Sequence, residues 1–242
     1  MGRLLHAEVY RITHSPAGWA LTIVLLALAY LTRQRAGLFS EMDADYVFYF
    51  VFCNPIPLLW IGTLLTAFSF QECFGSRTFQ GAVFSGESRL AIVVSHMFPY
   101  YLWGGLINLV SMLAIFLRNG VFLRMGTITV LFFLSRMLLH ILFCMVLMTL
   151  PMCFAFLFRD VLYGMILNGG VAFFTQVLLE RLTVEENPLL YRLHPVFQMV
   201  EAALWMEDAH PSRLFAIICE LFFLLIAGLF FSLFLFQKTE LK

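Results

Sequence analysis

The sequence predicts an all-α, polytopic integral membrane protein with six transmembrane helices. Two observations carry this. Ala, Val, Ile, Leu, Met, Phe, Trp, Tyr and Cys make up 62% of the 242 residues, and Asp, Glu, Lys and Arg only 12%. Soluble domains run at roughly 45–50% apolar and about 25% charged. With a mean hydropathy of +0.90, a soluble fold of this length has no way to hide so much apolar surface from water. The second observation is spacing. The apolar residues come in uninterrupted stretches long enough to cross a hydrocarbon core of ~30 Å, which takes ~20 helical residues.

In chain order, residues 3–16 come first. Leu5, Val9 and Ile12 recur at helical spacing while Arg3, His6, Glu8 and Arg11 occupy the other faces. That pattern predicts a short amphipathic helix lying in the headgroup plane. It is too long and too polar for the charged lead of a secretory signal. Ser15-Pro16 then breaks the helix, and Trp19 anchors the turn into the first span. The spans fall at 17–32, 46–70, 90–117, 127–158, 161–180 and 214–237. An even number of spans puts both termini on one side. The fourth and fifth are joined by a tight turn at Arg159-Asp160. Before the last span, 181–213 forms the longest interruption. Within it, Val196, Met199, Val200, Ala203 and Leu204 keep a helical period, so one or two short interfacial helices are expected, closed by His210-Pro211. Pro55, Pro57, Pro99 and Pro151 fall inside spans and mark bends. Asn168-Gly169-Gly170 either permits close helix approach or is a simple packing pair.

Charge narrows the function. Fifteen basic and fifteen acidic residues cancel, which offers nothing to nucleic acid. The basic residues divide evenly between the two sets of loops, so charge bias alone does not orient the chain. Lys238 and Lys242 are the only lysines. A phosphate-cradling GxxxxGK[ST] loop needs a lysine inside the fold, so this chain does not hydrolyse ATP by that route. The five cysteines, Cys53, Cys73, Cys144, Cys153 and Cys219, lack metal-ligand spacing and read as small buried hydrophobes. No metal site and no catalytic residue is expected. An intramembrane protease is disfavoured because GxSG and HExxH are absent, and because Glu185-Glu186 lies too far from Arg192 with Pro188 between.

Charged groups inside a span are costly, about 2.5–3.5 kcal/mol at the bilayer centre by insertion scales, and find partners. Arg136 and His140 share one face of the fourth span at i, i+4, and Glu220 lies in the sixth at a similar depth. The expectation is that Arg136 pairs with Glu220 beside His140. Such a patch either lines an upper translocation route or fixes the packing between spans.

The loop 72–89 holds the most informative motif. A glutamate ends the second span at Glu72, Thr78 follows, and Ser88-Arg89 opens the third span with Ser95 nearly two turns on. This resembles the permease family of type 2 ABC exporters, in which a Glu precedes Gly-Thr, a short helix, Ser-Arg and then Ser-Lys. Arg77 stands where that pattern has glycine, and His96 where it has lysine. The layout is similar along the whole chain, and resembles bacterial antimicrobial-peptide and lantibiotic immunity permeases. The resemblance implies a bacterial plasma-membrane protein with cytoplasmic termini. It also implies an extracellular 181–213 loop and a second permease chain, identical or related. Two separate ATPase subunits would bind ATP and Mg. On this reading 72–89 is the cytoplasmic coupling loop, with Phe74, Phe79 and Phe84 as apolar knobs and Arg77 as polar anchor, and the cargo is an amphipathic peptide or other hydrophobic substrate. A non-transporting membrane partner or sensor subunit is the alternative.

Overall fold

The computed structural model describes residues 2–34, 47, 51–52, 54, 56–75, 78–121, 130–158, 162–163, 165–167, 169–170 and 211–238; within these, the side chains of 33–34, 71–75, 78, 130–132 and 211–214 are not described. All regular structure among them is helical. The named helices are α1 (Gly2–His14), α2 (Pro16–Gln34), α3 (Ile56–Gly75), α4 (Thr78–Phe84), α5 (Arg89–Arg118), α6 (Val130–Phe158) and α7 (Pro211–Lys238).

Each boundary has a local cause. Ser15 separates α1 from α2 and caps the second: its Oγ accepts from Gly18 N–H at 3.3 Å, and Pro16, with no N–H to satisfy, fits the first helical position. The two helices bend by 69° at this break. Trp19 Nε1 donates to the Thr13 carbonyl at 2.8 Å, satisfying an orphan acceptor at the end of α1. At the start of α3, Asn54 Oδ1 accepts from Ile56 N–H at 3.1 Å, an N-cap that lets Pro57 sit in the first turn without breaking a bond. Helix α4 ends in a complete Schellman motif. Glu87 N–H bonds the Ala82 carbonyl, Gly86 N–H bonds the Val83 carbonyl, and Gly86 takes φ of 86°, a conformation that a side chain disfavours. Ser88 then caps α5 by accepting from Ala91 N–H at 3.2 Å.

The helices α5, α6 and α7 are long and apolar enough to cross a membrane, and α1 with α2 adds a fourth if the bent pair is one span. Helix α5, at 30 residues, measures about 45 Å at 1.5 Å per residue, enough for the hydrocarbon core and both headgroup layers. Helix α3 is apolar over the shorter stretch Ile56–Phe70. The expected fifth span is described at 162–163, 165–167 and 169–170, all of which are helical. Of the expected outer loop, 181–210 lies outside the described residues.

Three boundaries are corrected. Pro16 begins α2 instead of ending the amphipathic segment. Pro211 opens α7 instead of closing the preceding loop, again because proline suits the first helical position. Helix α3 carries on through Glu72 to Gly75, so the loop begins later than expected.

Helix α6 is the centre of the bundle, packed by α3, α5 and α7. Small residues make this possible. A Cβ on Gly104 of α5 would strike Met148 Sδ, and one on Gly228 of α7 would strike Thr149 Cγ2. By contrast, among the described residues a Cβ on Gly169 or Gly170 meets nothing within 4 Å. Helix α7 lies on the outside. Only 17% of its most apolar window is buried against 61% for α6, and Phe222, Phe223, Phe230 and Phe231 point outward. In lipid such a face is at no disadvantage.

Candidate functional site

Six segments meet at one end of the bundle: α1, the end of α3, α4, the start of α5, the end of α6 and the end of α7. The polar half of the junction comes from α1. Leu5, Val9 and Ile12 do not form its buried face. Ile12 is buried, but Val9 and Tyr10 are exposed, while Glu8 and Arg11 turn inward. Arg11 Nη2 donates to the Ser69 carbonyl at 3.2 Å and to Tyr100 Oη at 2.6 Å. It also pairs with Glu8 Oε2 at 2.9 Å. The other carboxylate oxygen, Oε1, accepts from His96 Nδ1 at 3.1 Å. The Ser69 carbonyl, the Tyr100 hydroxyl and a buried imidazole hold these charges, so the amphipathic helix turns Glu8 and Arg11 inward beside Ile12. Burial alone would raise the Glu8 carboxyl; the His96 hydrogen bond, the His96 charge and Arg11 together outweigh it and hold Glu8 below its ordinary value of 4.5.

The aromatic half surrounds His96. Phe70 of α3 meets the imidazole edge-on with centroids 4.7 Å apart, and Phe79 of α4 does so at 5.1 Å. Phe79 also reaches Phe236 of α7 at 5.6 Å, and Phe156 of α6 packs on Phe70 at 4.8 Å and on Phe236 at 5.6 Å. Edge-to-face pairs of this kind contribute ~0.5–1.5 kcal/mol beyond area burial. Phe79 is therefore an inward anchor, 4% exposed, and the outward apolar side chain of α4 is Phe84 at 82%. The expectation that Phe79 is a surface knob is corrected: on a seven-residue helix packed by one face, positions five apart point opposite ways.

Arg89 opens α5 and reaches across to the end of α7. Its Nη1 donates to the carbonyls of Phe236 at 2.7 Å and Gln237 at 2.8 Å, and the guanidinium lies 5.6 Å from the Phe236 ring centroid. The last carbonyls of a helix lack intrahelical partners and carry the negative end of its dipole, so a cation there satisfies both. Ser88 acts as the cap of α5. The backbones of Glu72 and Phe74 lie in the last turns of α3, and Thr78 begins α4. Their side chains, and Arg77 entirely, lie outside the described residues.

Deeper in the bundle is a second polar group. The Phe52 carbonyl lies on the chain before α3. His140 of α6 supplies its partner: Nε2 lies 3.2 Å from the Phe52 oxygen, and Nδ1 lies 2.8 Å from Asn108 Nδ2. His140 thus bridges α5, α6 and the chain before α3. Ser111 and Arg136 are buried in the same region. Towards the other end of α6, Cys153 meets Ser232 of α7 at 3.1 Å, an offset of 79 residues between parallel helices. The same offset sets Glu220 level with Ile141, five residues past Arg136, or about 7 Å along the axis at 1.5 Å per residue. An arginine side chain spans that distance.

Sequence reasoning singled out Ser88, Arg89 and His140, each of which makes a polar contact here. It missed Arg11 and Glu8 as inward charges, although their i, i+3 spacing was a signal, and it missed Asn108, Tyr100 and Phe236. A phenylalanine among 28 carries no mark of its role. Among the described residues, no group of three or more His, Cys, Asp or Glu is placed to hold a metal ion. No protein-family model matches the chain, and no curated protein matches it.

Proposed function

We propose that this chain is the transmembrane permease subunit of an ATP-driven exporter, non-catalytic itself and driven by separate ATPase subunits. What supports the reading is α4. It is a stiff, capped helix with Phe84 exposed at its tip and Phe79 rooted among aromatic rings of α3, α6 and α7. A soluble motor moves membrane helices only through a rigid element that both touches it and grips the bundle, and α4 has both ends of that connection. The proposal includes six spans, both termini in the cytoplasm of a bacterial plasma membrane, and a second permease chain completing the route. An amphipathic peptide is the cargo that the sequence resemblance favours.

The test is isolation of the full chain from its native membrane in mild detergent. An ATP-hydrolysing protein that needs Mg is expected to accompany it, and Phe84→Asp is expected to reduce its retention by about fivefold or more, the scale of losing one buried anchor. A chain that never retains such a partner overturns the proposal.

A further inference from the structure

Resting on that reading, we infer that Phe236 is the positioning residue through which displacement of α4 reaches the last helix. Both ends of the α4–α5 connection grip this one residue. From α4, the Phe79 ring meets the Phe236 ring at 5.6 Å. From the first residue of α5, Arg89 bonds the Phe236 and Gln237 carbonyls and lies over the same ring. Between the two grips, the Schellman turn at Gly86 and the Ser88 cap leave little slack. Phe236 is 2% exposed, and Phe156 of α6 backs it at 5.6 Å.

The rest of α7 is suited to follow. It is the least buried of the candidate membrane-crossing helices. It meets α6 at Gly228, whose carbonyl lies 3.5 Å from Cys153 Sγ, at Ser232, whose Oγ lies 3.1 Å from the same sulfur, and at Phe236, which packs on Phe156. A displacement imposed on the Phe236 end is carried along this one continuous helix to its opposite end. Cys219, exposed towards that end, is a native reporter of that movement.

The experiment uses the full chain with its co-purified ATPase in lipid nanodiscs. Cys53→Ala and Cys73→Ala leave Cys219 as the cysteine to label, since Cys144 and Cys153 are buried. An environment-sensitive fluorophore on Cys219 is read with and without ATP, Mg and vanadate, alongside ATP turnover. The unmodified Phe236 chain is expected to respond to trapping. Phe236→Leu and Arg89→Gln are expected to keep turnover within about twofold while the response falls by about fivefold or more, the lower end of coupling between sites. Phe236→Tyr, which keeps the ring, is expected to restore it. If Phe236→Leu does not insert, Arg89→Gln carries the same prediction without altering the aromatic packing. A full response in both variants overturns the relay alone. Turnover with no response in any chain does the same, whereas absence of an ATPase overturns the underlying reading as well.

Discussion

Glu8 shows how a single charged residue ties the first helix to the bundle. Its carboxylate is held below 4.5 by His96 and Arg11 against the opposing effect of burial. A group whose folded value is lowered stabilises the fold above its unfolded value, and that contribution is lost as pH falls through the folded value. In detergent, the thermal midpoint is therefore expected to drop in Glu8→Gln at neutral pH, by the equivalent of about 1.5–3 kcal/mol for a hydrogen bond to a charged group. The gap between the two proteins is expected to close as pH is lowered below 4.5. A gap independent of pH across that range would show that the carboxylate charge is not what stabilises the junction. His140 makes the complementary case inside the membrane. Interhelical hydrogen bonds there average only ~0.6 kcal/mol, but His140→Phe leaves the Phe52 carbonyl and the Asn108 amide both without their observed partner. Losing both contacts is expected to lower stability by more than ~0.6 and by up to ~3 kcal/mol. Unfolding in mixed micelles checks it, and a loss below ~0.6 kcal/mol would mean the Phe52 carbonyl finds another donor.

At the scale of helices, packing is decided where glycines meet branched or flexible side chains. Gly228→Ala drives a methyl into Thr149 Cγ2. Thr149 cannot easily turn away, because its hydroxyl donates to the Met145 carbonyl at 2.9 Å and accepts from Tyr101 at 2.8 Å. Overpacking of this kind costs ~1–3 kcal/mol. Adding Thr149→Ser removes the offending methyl, keeps both hydrogen bonds and is expected to recover most of the loss. Gly104→Ala also meets a side chain, but it is the thioether of Met148, which adapts, so its cost is expected to be smaller. Equal losses at the two glycines would contradict this account.

For the molecule as a whole, the junction at one end sets the topology. Helix α1, the α3–α5 connection and the end of α7 converge there through Glu8–His96, Phe79–Phe236 and Arg89–Phe236. The opposite end is tied by Arg118, whose Nη1 donates to Tyr30 Oη at 2.8 Å. Helix α1 and the end of α7 thus lie at the end of the bundle that carries α4. A reporter that fluoresces only in the cytoplasm, fused after Lys242, is expected to be bright, and one active only outside to be silent; the reverse result would invert the orientation and remove α4 from reach of any cytoplasmic ATPase.

Much of this architecture is legible in the chain because lipid imposes a strong rule: backbone groups must be satisfied within a segment, so apolar length alone specifies helices. Composition, Ser15-Pro16 and Ser88-Arg89 announce the α-helical class and several boundaries, since each acts on its own neighbours along the chain. What only the tertiary structure decided is where side chains point. Glu8 and Arg11 face inward because Ser69, Tyr100 and His96, distant in sequence, offer better partners than water. Phe79 anchors while Phe84 protrudes because four other helices supply rings on one side of α4. Helix period is a local property, whereas the choice of which face is buried belongs to the partners, and nothing in a single helix encodes them.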